Sequence, residues 1–173
     1  MTKRLFALTL ALTLSCPIAA AAQQGPVVQS LEGLNNVTTT NIMATAETLD
    51  EGLFSFRPTE EVRSMGQILA HIAGAQYTFC STAAGESSPN SENFEETATT
   101  KAQIVAALAG GFEYCTGVYG GMSDAQGGEM VSLFGNPMAK SAVLAFNSAH
   151  NYEHYGNLVT YMRINGVVPP SSR

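Results

Sequence analysis

Three histidines are the residues most able to do chemistry in this chain of 173 residues. His150 and His154 stand four positions apart in a segment of helical periodicity, so both imidazoles project from one helix face. His71 lies on the apolar side of another predicted helix, beside Ile68 and Ile72. A buried imidazole without a partner is costly, whereas three neutral imidazoles can share a divalent cation and leave a further position for water or substrate. The pattern predicts a three-histidine metal centre, provided that the two helices are neighbours.

The metal and its chemistry stay open at this stage. Three imidazole ligands favour zinc, and they also suit nickel, iron or copper. His150, Glu153 and His154 fit the H-x-x-E-H pattern of inverzincin metallopeptidases, in which the glutamate is the general base. Those enzymes take a third ligand from a carboxylate far downstream, and no acidic residue follows His154. Glu153 lies roughly 100° around the helix from His154, so we expect it on the helix flank, with a catalytic role as the alternative.

The beginning of the chain has the pattern of a secretory signal peptide. Lys3 and Arg4 precede an apolar run, and small residues end at Ala22, after which we expect cleavage. We therefore expect residues 1–22 to be a signal peptide, residues 23–173 to form a single domain, and the protein to be exported to the periplasm or secreted. The alternative is a lipoprotein anchored at Cys16, although the residues before Cys16 match a lipoprotein box poorly.

Charge and hydropathy exclude two classes of partner. The formal net charge is −6, and loss of the signal peptide with its two basic residues would make the chain more acidic. Because nucleic-acid affinity depends largely on Lys and Arg side chains that neutralise phosphates, this balance argues against nucleic-acid binding. No stretch reaches the roughly 20 apolar residues needed to cross a bilayer, so we expect no membrane span.

Export would place the remaining two cysteines, Cys80 and Cys115, in an oxidising compartment. Because disulfides persist in such a compartment, Cys80 and Cys115 are a candidate disulfide pair. The alternative is a pair of separate buried thiols that pack as small hydrophobic side chains. The sequence leaves both states open.

Four segments carry apolar residues at helical spacing and predict an all-α protein. Ser64 with Gln67, and Thr100 with Gln103, have the spacing of capping boxes at the starts of the second and third helices. A long polar connection separates these two helices, which suits a crossover between helices that run in the same direction. Residues 130–136 are predicted as a short extended arm, and Pro137 as the first helical position of the last helix. The predicted helices cover residues 27–49, 64–83, 100–119 and 138–164.

Two segments carry a family resemblance. Residues 64–73 (SMGQILAHIA) and residues 150–170 (HNYEHYGNLVTYMRINGVVPP) resemble the DinB family, also called DinB/YfiT-like. The resemblance implies a four-helix bundle with a long crossover between helices two and three. It also implies that His71 on helix two and His150 and His154 on helix four bind a divalent metal. A homodimer is a further implication.

The resemblance also suggests activities. Characterised members include transferases and isomerases that use bacillithiol or mycothiol, in which the metal lowers the pKa of a thiol. Because an exported protein would be separated from cytosolic thiols, this role does not transfer directly. We therefore expect a metal-dependent hydrolase or a thiol-dependent transferase acting on a small molecule. The alternative is a non-catalytic helical bundle that binds a small molecule or a partner, with a structural metal or none.

Overall fold

The computed structural model describes residues 24–173, so the predicted signal peptide and Cys16 lie outside the described residues. Four long helices account for most of this region, and two short helices and one hairpin connect them. No helix in residues 24–173 is both long and apolar enough to span a bilayer. In chain order the elements are α1 (Pro26–Thr48), α2 (Met65–Ala84), α3 (Phe94–Thr97), α4 (Lys101–Gly121), α5 (Asp124–Gly127), β1 (Met130–Leu133), β2 (Asn136–Ala139) and α6 (Lys140–Ile164), with single 3-10 turns at Glu51–Ser55 and Pro170–Ser172.

Local sequence explains where α2 and α4 begin. The Ser64 hydroxyl accepts a hydrogen bond from the Gln67 backbone N–H, and the Gln67 side chain accepts one from the Ser64 N–H. Thr100 and Gln103 form the same reciprocal pair at the start of α4. Each box satisfies backbone donors that the first helical turn leaves unpaired, as the sequence predicts.

Helices α2 and α4 run in the same direction. Gly66 lies against Ile104, and about two turns further along both helices Gly111 lies against the carbonyl of Ala73. The missing side chain at Gly111 lets the two helices approach closely, because a Cβ there would lie 2.8 Å from that carbonyl oxygen. The chain must therefore return over residues 85–100 before α4 begins. The predicted all-α bundle with a long crossover between the second and third long helices is confirmed.

Distant side chains hold both ends of α1. The Asp124 carboxylate accepts hydrogen bonds from the backbone N–H groups of Val27 and Val28, at 3.1 and 2.9 Å. At the other end the Lys101 ammonium donates to the carbonyls of Glu47 and Leu49, at 2.8 and 2.6 Å. These charges complement the helix dipole, positive at the N-terminus and negative at the C-terminus. They attach the C-terminal end of α1 to the start of α4, and the N-terminal end of α1 to the start of α5.

A buried amide layer fixes how α6 faces α2. The Gln76 side chain donates to Asn151 Oδ1 at 2.8 Å and accepts from Asn147 Nδ2 at 3.1 Å. All three residues are fully buried. Rotation of α6 would break these bonds and leave polar groups unpaired in the core, which is costly. Because Asn151 lies between His150 and His154 in sequence, the amide layer also sets the direction of the histidines.

The Sγ atoms of Cys80 and Cys115 are bonded and join α2 to α4, with the two Cα atoms 5.3 Å apart. Both residues are fully buried in the core cluster that includes Phe79, Tyr119 and Leu144. The sequence separation is 35 residues. Closing a loop of this length contributes about 4 kcal/mol in the chain-entropy model.

The prediction for the start of the last helix is wrong. Pro137 lies in β2, where it pairs with Ser132 of β1, and α6 begins at Lys140. Residues 130–136 are not a single extended arm, because Phe134 and Gly135 form a tight turn with φ values of 51° and 82°. A proline is tolerated in this hairpin because each strand of a two-stranded sheet has a free edge.

Candidate metal centre

His71 of α2 meets His150 and His154 of α6 on the inner faces of the two helices. The Nε2 atom of His150 lies 3.1 Å from the Nε2 atom of His71 and 3.1 Å from that of His154. The ligand atoms of the three residues all lie within 4.8 Å of one another. These are the three histidines that the sequence pattern singles out, and the packing of α2 against α6 brings them together.

The chemistry of this donor set fits a cation. Two imidazole nitrogens on one tetrahedral zinc ion lie about 3.3 Å apart, close to the two observed separations. Without a cation, His150 Nε2 offers either one proton or one lone pair, which can satisfy only one of its two 3.1 Å contacts. A divalent cation would satisfy all three lone pairs together.

Burial keeps the rings of His150 and His154 neutral. Loss of solvent, together with the neighbouring His154 and His71, lowers the pKa of His150 to about 3. Burial and His71 also lower the pKa of His154. Since only a neutral imidazole offers a lone pair to a metal, both residues are competent ligands at neutral pH.

A carboxylate orients His71. Glu95 Oε1 lies 2.8 Å from His71 Nδ1, and Glu95 Oε2 accepts a 2.7 Å bond from Arg63 Nε. Burial acts to raise the pKa of Glu95, but the bonds from Arg63 and His71 outweigh it and the net pKa is lowered. The ionised carboxylate can only accept, so His71 must donate from Nδ1. This tautomer leaves the Nε2 lone pair of His71 free for a cation.

The other two histidines lack such a partner. The Nδ1 atoms of His150 and His154 are buried and make no hydrogen bond within the described part of the chain. Glu95 is therefore the carboxylate that positions a ligand of this group. Its neighbour in α3, Glu96, instead accepts a bond from Asn93 at 2.8 Å.

The histidine group opens on a cavity of about 470 Å³. His71 and His150 stand in its wall, and small residues of α2 such as Gly74 and Ala75 leave the space. Its remaining walls are an aromatic side from α2, α6 and the hairpin turn, and a side from the crossover at residues 88–95 that is polar except for Phe94. The cavity volume lies in the range typical of small-molecule sites.

The other candidate residues of the sequence lie away from this cavity. Glu153 is exposed, does not line the cavity and makes no ion pair with any residue from 24 to 173. Arg163, the nearest basic residue of α6 in sequence, donates to Ser172 rather than to Glu153. Cys80 and Cys115 form the disulfide inside the core and also lie outside the cavity.

Sequence reasoning missed four residues at the site. Glu95 and Arg63 flank His71, although neither belongs to a long periodic helix. Phe134 and Phe146 line the cavity, and the sequence places them only in an extended arm and on the last helix. The unusual length of the crossover that carries Glu95 was the one available indication that this segment does more than connect helices.

Comparisons with known proteins agree with this fold. The family model of the DinB superfamily matches residues 36–158. A crystal structure of a DinB-like protein from Bacillus subtilis is similar with a TM-score of 0.65 and 20% identity, over 79% of this chain and 92% of that one. A DinB-like protein from Bacillus cereus is similar with a TM-score of 0.70 and 18% identity, over 83% of this chain and 93% of that one. No curated protein matches the chain. The chain belongs to the DinB superfamily.

Proposed function

We propose that this chain is an exported metal-dependent hydrolase, in which His71, His150 and His154 hold one divalent cation. Zinc is the first candidate, and nickel and iron are the alternatives. The observation that carries the proposal is that the histidine group opens on a cavity of about 470 Å³. Structural zinc sites are closed by four protein ligands, whereas catalytic sites combine three protein ligands with an open position. Three histidines beside a cavity favour the catalytic arrangement.

A bound divalent cation would supply Lewis acidity, which makes water or a thiol nucleophilic at neutral pH. The residues of the chain provide the rest of the site. Glu95 and Arg63 hold His71 in one tautomer, and the buried amide layer holds α6 at a fixed rotation. The cavity walls would orient the substrate.

Water is the nucleophile that the described residues favour. Cys80 and Cys115 are bonded to each other, so neither offers a free thiol, and a thiol would have to enter as a second substrate. In the proposed hydrolysis of a carboxylic ester, the water oxygen bonds to the acyl carbon of the ester, and the bond from that carbon to the leaving alcohol oxygen breaks. One water proton goes to the leaving oxygen, and the second goes to solvent as the carboxylate product ionises.

Export is the second part of the proposal, and it rests on the amino-terminal sequence alone. The basic residues, the apolar run and the small residues before Gln23 have the order of a secretory signal. The test is expression of the full chain in a bacterium, followed by fractionation and intact-mass measurement. A periplasmic species that begins at Gln23 supports export, and a cytoplasmic species that keeps Lys3 and Arg4 contradicts it.

The test of the metal site compares three proteins prepared without a histidine tag: the unaltered chain, His154→Ala and Glu153→Gln. Metal content is measured by mass spectrometry. Hydrolase turnover is measured on neutral esters, and transferase turnover is measured on an electrophile together with a low-molecular-weight thiol. We expect His154→Ala to lose the metal and Glu153→Gln to keep both metal and turnover. Equal metal content in His154→Ala and the unaltered chain would overturn the site.

The same measurements separate the competing functions. If turnover occurs only in the presence of the thiol, the proposed function would be a thiol-dependent transferase rather than a hydrolase. Loss of turnover with retained metal in Glu153→Gln would assign this residue the general-base role. Bound metal whose removal lowers the melting temperature, with no turnover of either substrate class, would support a non-catalytic bundle with a structural metal.

A further inference from the structure

One side of the cavity beside the histidines is formed by the rings of Phe79, Phe134 and Phe146. The ring centroid of Phe79 lies 5.4 Å from that of Phe146, 6.1 Å from that of Phe134 and 5.2 Å from that of His150. Phe79 is buried, whereas Phe134 and Phe146 remain 71% and 45% exposed. The two exposed rings therefore present apolar surface next to the histidine group, where a bound molecule could cover it.

From this arrangement we infer that the cavity selects neutral substrates with an aromatic or similarly ring-sized apolar group, seated against Phe134 and Phe146. The inference rests on the proposed function and names its substrate class. The hydrolysable bond would face the histidines while the apolar group contacts the two rings. Large aromatic side chains contribute much of the binding free energy in such sites because they bury a large apolar area.

The backbone at Phe134 is an independent observation in favour of this role. Phe134 and Gly135 are the central residues of a two-residue hairpin loop, and both have positive φ, at 51° and 82°. Asn-Gly makes this kind of turn readily, whereas a bulky residue in the left-handed region is strained. A strained, exposed phenylalanine is not what hairpin stability favours. Its ring position beside the cavity supplies a reason for it.

The charges around the cavity indicate a neutral substrate. Among residues 24–173, no Lys or Arg stands in its wall, and the carboxylates there are Glu92 and Glu95. Glu95 is already paired with Arg63 and His71, so it offers no free anion. A carboxylate or phosphate on the apolar part of the substrate would meet no compensating cation in these walls and would lie near the charge of Glu92.

The experiment uses the zinc-loaded protein and three hydroxamate probes, which ligate metals and are not hydrolysable esters. Binding of acetohydroxamate, benzohydroxamate and 4-carboxybenzohydroxamate is measured by calorimetry. We expect benzohydroxamate to bind about tenfold more tightly than acetohydroxamate, as removal of roughly 60 Å² of extra apolar surface from water implies. The added carboxylate should cancel most of this preference.

Variants assign the preference to the two rings. Phe134→Asn should reduce the ratio of the two dissociation constants to about threefold or less, and it should keep or raise the melting temperature because it relieves the turn. Phe146→Ala should reduce the ratio as well. Met130→Ala is the matched control, because Met130 is an exposed apolar residue of the same hairpin that does not line the cavity. It should leave the ratio unchanged.

Each outcome decides between the two proposals. Equal binding of acetohydroxamate and benzohydroxamate, or a ratio that both phenylalanine variants leave unchanged, overturns this inference and leaves the metal-dependent hydrolase standing. An aromatic preference with no turnover of any ester supports this inference and overturns the hydrolase. If none of the three probes binds the zinc-loaded protein, this inference is wrong, and ester turnover alone then decides the hydrolase.

Discussion

Replacement of Glu95 by alanine should weaken zinc binding about 10- to 30-fold. The change removes the 2.8 Å bond to His71 Nδ1 and the 2.7 Å ion pair with Arg63. A hydrogen bond to a charged group contributes about 1.5–3 kcal/mol, and we take the lower part of this range because the Glu95 and His71 side chains are 26% and 27% exposed. A loss of about 1.4–2 kcal/mol corresponds to zinc binding that is about 10- to 30-fold weaker. This agrees with the 10- to 100-fold loss of metal affinity that is typical when the carboxylate bonded to a metal-binding histidine is removed.

The assay is a competition titration of zinc between the protein and a chromophoric chelator at one fixed pH. Glu95→Gln keeps an acceptor oxygen but loses the charge, so it should be intermediate, about threefold weaker than the unaltered protein. Glu96→Ala is the matched control, because Glu96 is the next residue of α3 and contacts Asn93 rather than a histidine. Nitrogen NMR of the His71 ring reports the tautomer directly.

Two results would refute this reasoning. The first is zinc affinity in Glu95→Ala equal to that in Glu96→Ala while both proteins stay folded. The second is an unchanged His71 tautomer in Glu95→Ala, since the carboxylate would then not set the position of its proton. Circular dichroism and melting temperatures in the presence of a chelator separate these results from loss of the fold.

The remaining predictions concern stability. Gly111→Ala should destabilise the fold by about 1–3 kcal/mol, because the new Cβ would lie 2.8 Å from the Ala73 carbonyl oxygen. In Gly117→Ala, in the same helix, the new Cβ meets nothing within 4 Å, so this control should stabilise the fold by up to about 1 kcal/mol. Denaturant unfolding of the two variants measures the difference, and equal effects would contradict the prediction. Reduction of the disulfide should cost about 4 kcal/mol and lower the melting temperature by roughly 8–16 °C, and a change of only a degree or two would argue against the bond. Since burial lowers the pKa of His150 to about 3, the unfolded state takes up a proton first, and the metal-free protein should lose stability as the pH falls below about 6.5. Melts in chelator between pH 7.5 and 5 should show a smaller slope for His150→Gln, and an identical slope would count against the assigned pKa.

The long helices could be predicted from the sequence because their causes are local. Apolar spacing and the capping boxes at Ser64 and Thr100 act within one or two helical turns, and apart from the start of α6 the observed boundaries of the long helices lie within two residues of those predicted. The start of α6 was the exception. Asn136-Pro137 suits a helix start locally, but pairing of residues 130–133 with residues 136–139 competes with it. The pairing depends on hydrogen bonds between two separate strands, so the local sequence around Pro137 does not reveal it.

The metal centre divides in the same way. The histidine types and their spacing on α6 could be read directly, because a helix places residues four apart on one face. Glu95 could not be identified as the partner of His71, since 24 positions separate them and the bond depends on the path of the crossover. The strained turn at Phe134 likewise becomes meaningful only when the hairpin lies against α2 and α6.

By itself the sequence determined the helices, their caps, the inward position of His71 and the shared face of His150 and His154, because each depends on interactions within a few residues. The tertiary structure decided which helices are neighbours and how they are rotated. It thereby brought three Nε2 atoms together, placed a carboxylate behind one of them and opened an aromatic-sided cavity in front. These features depend on contacts between segments 24 to 83 residues apart, and such contacts follow from packing of the whole core rather than from any local pattern.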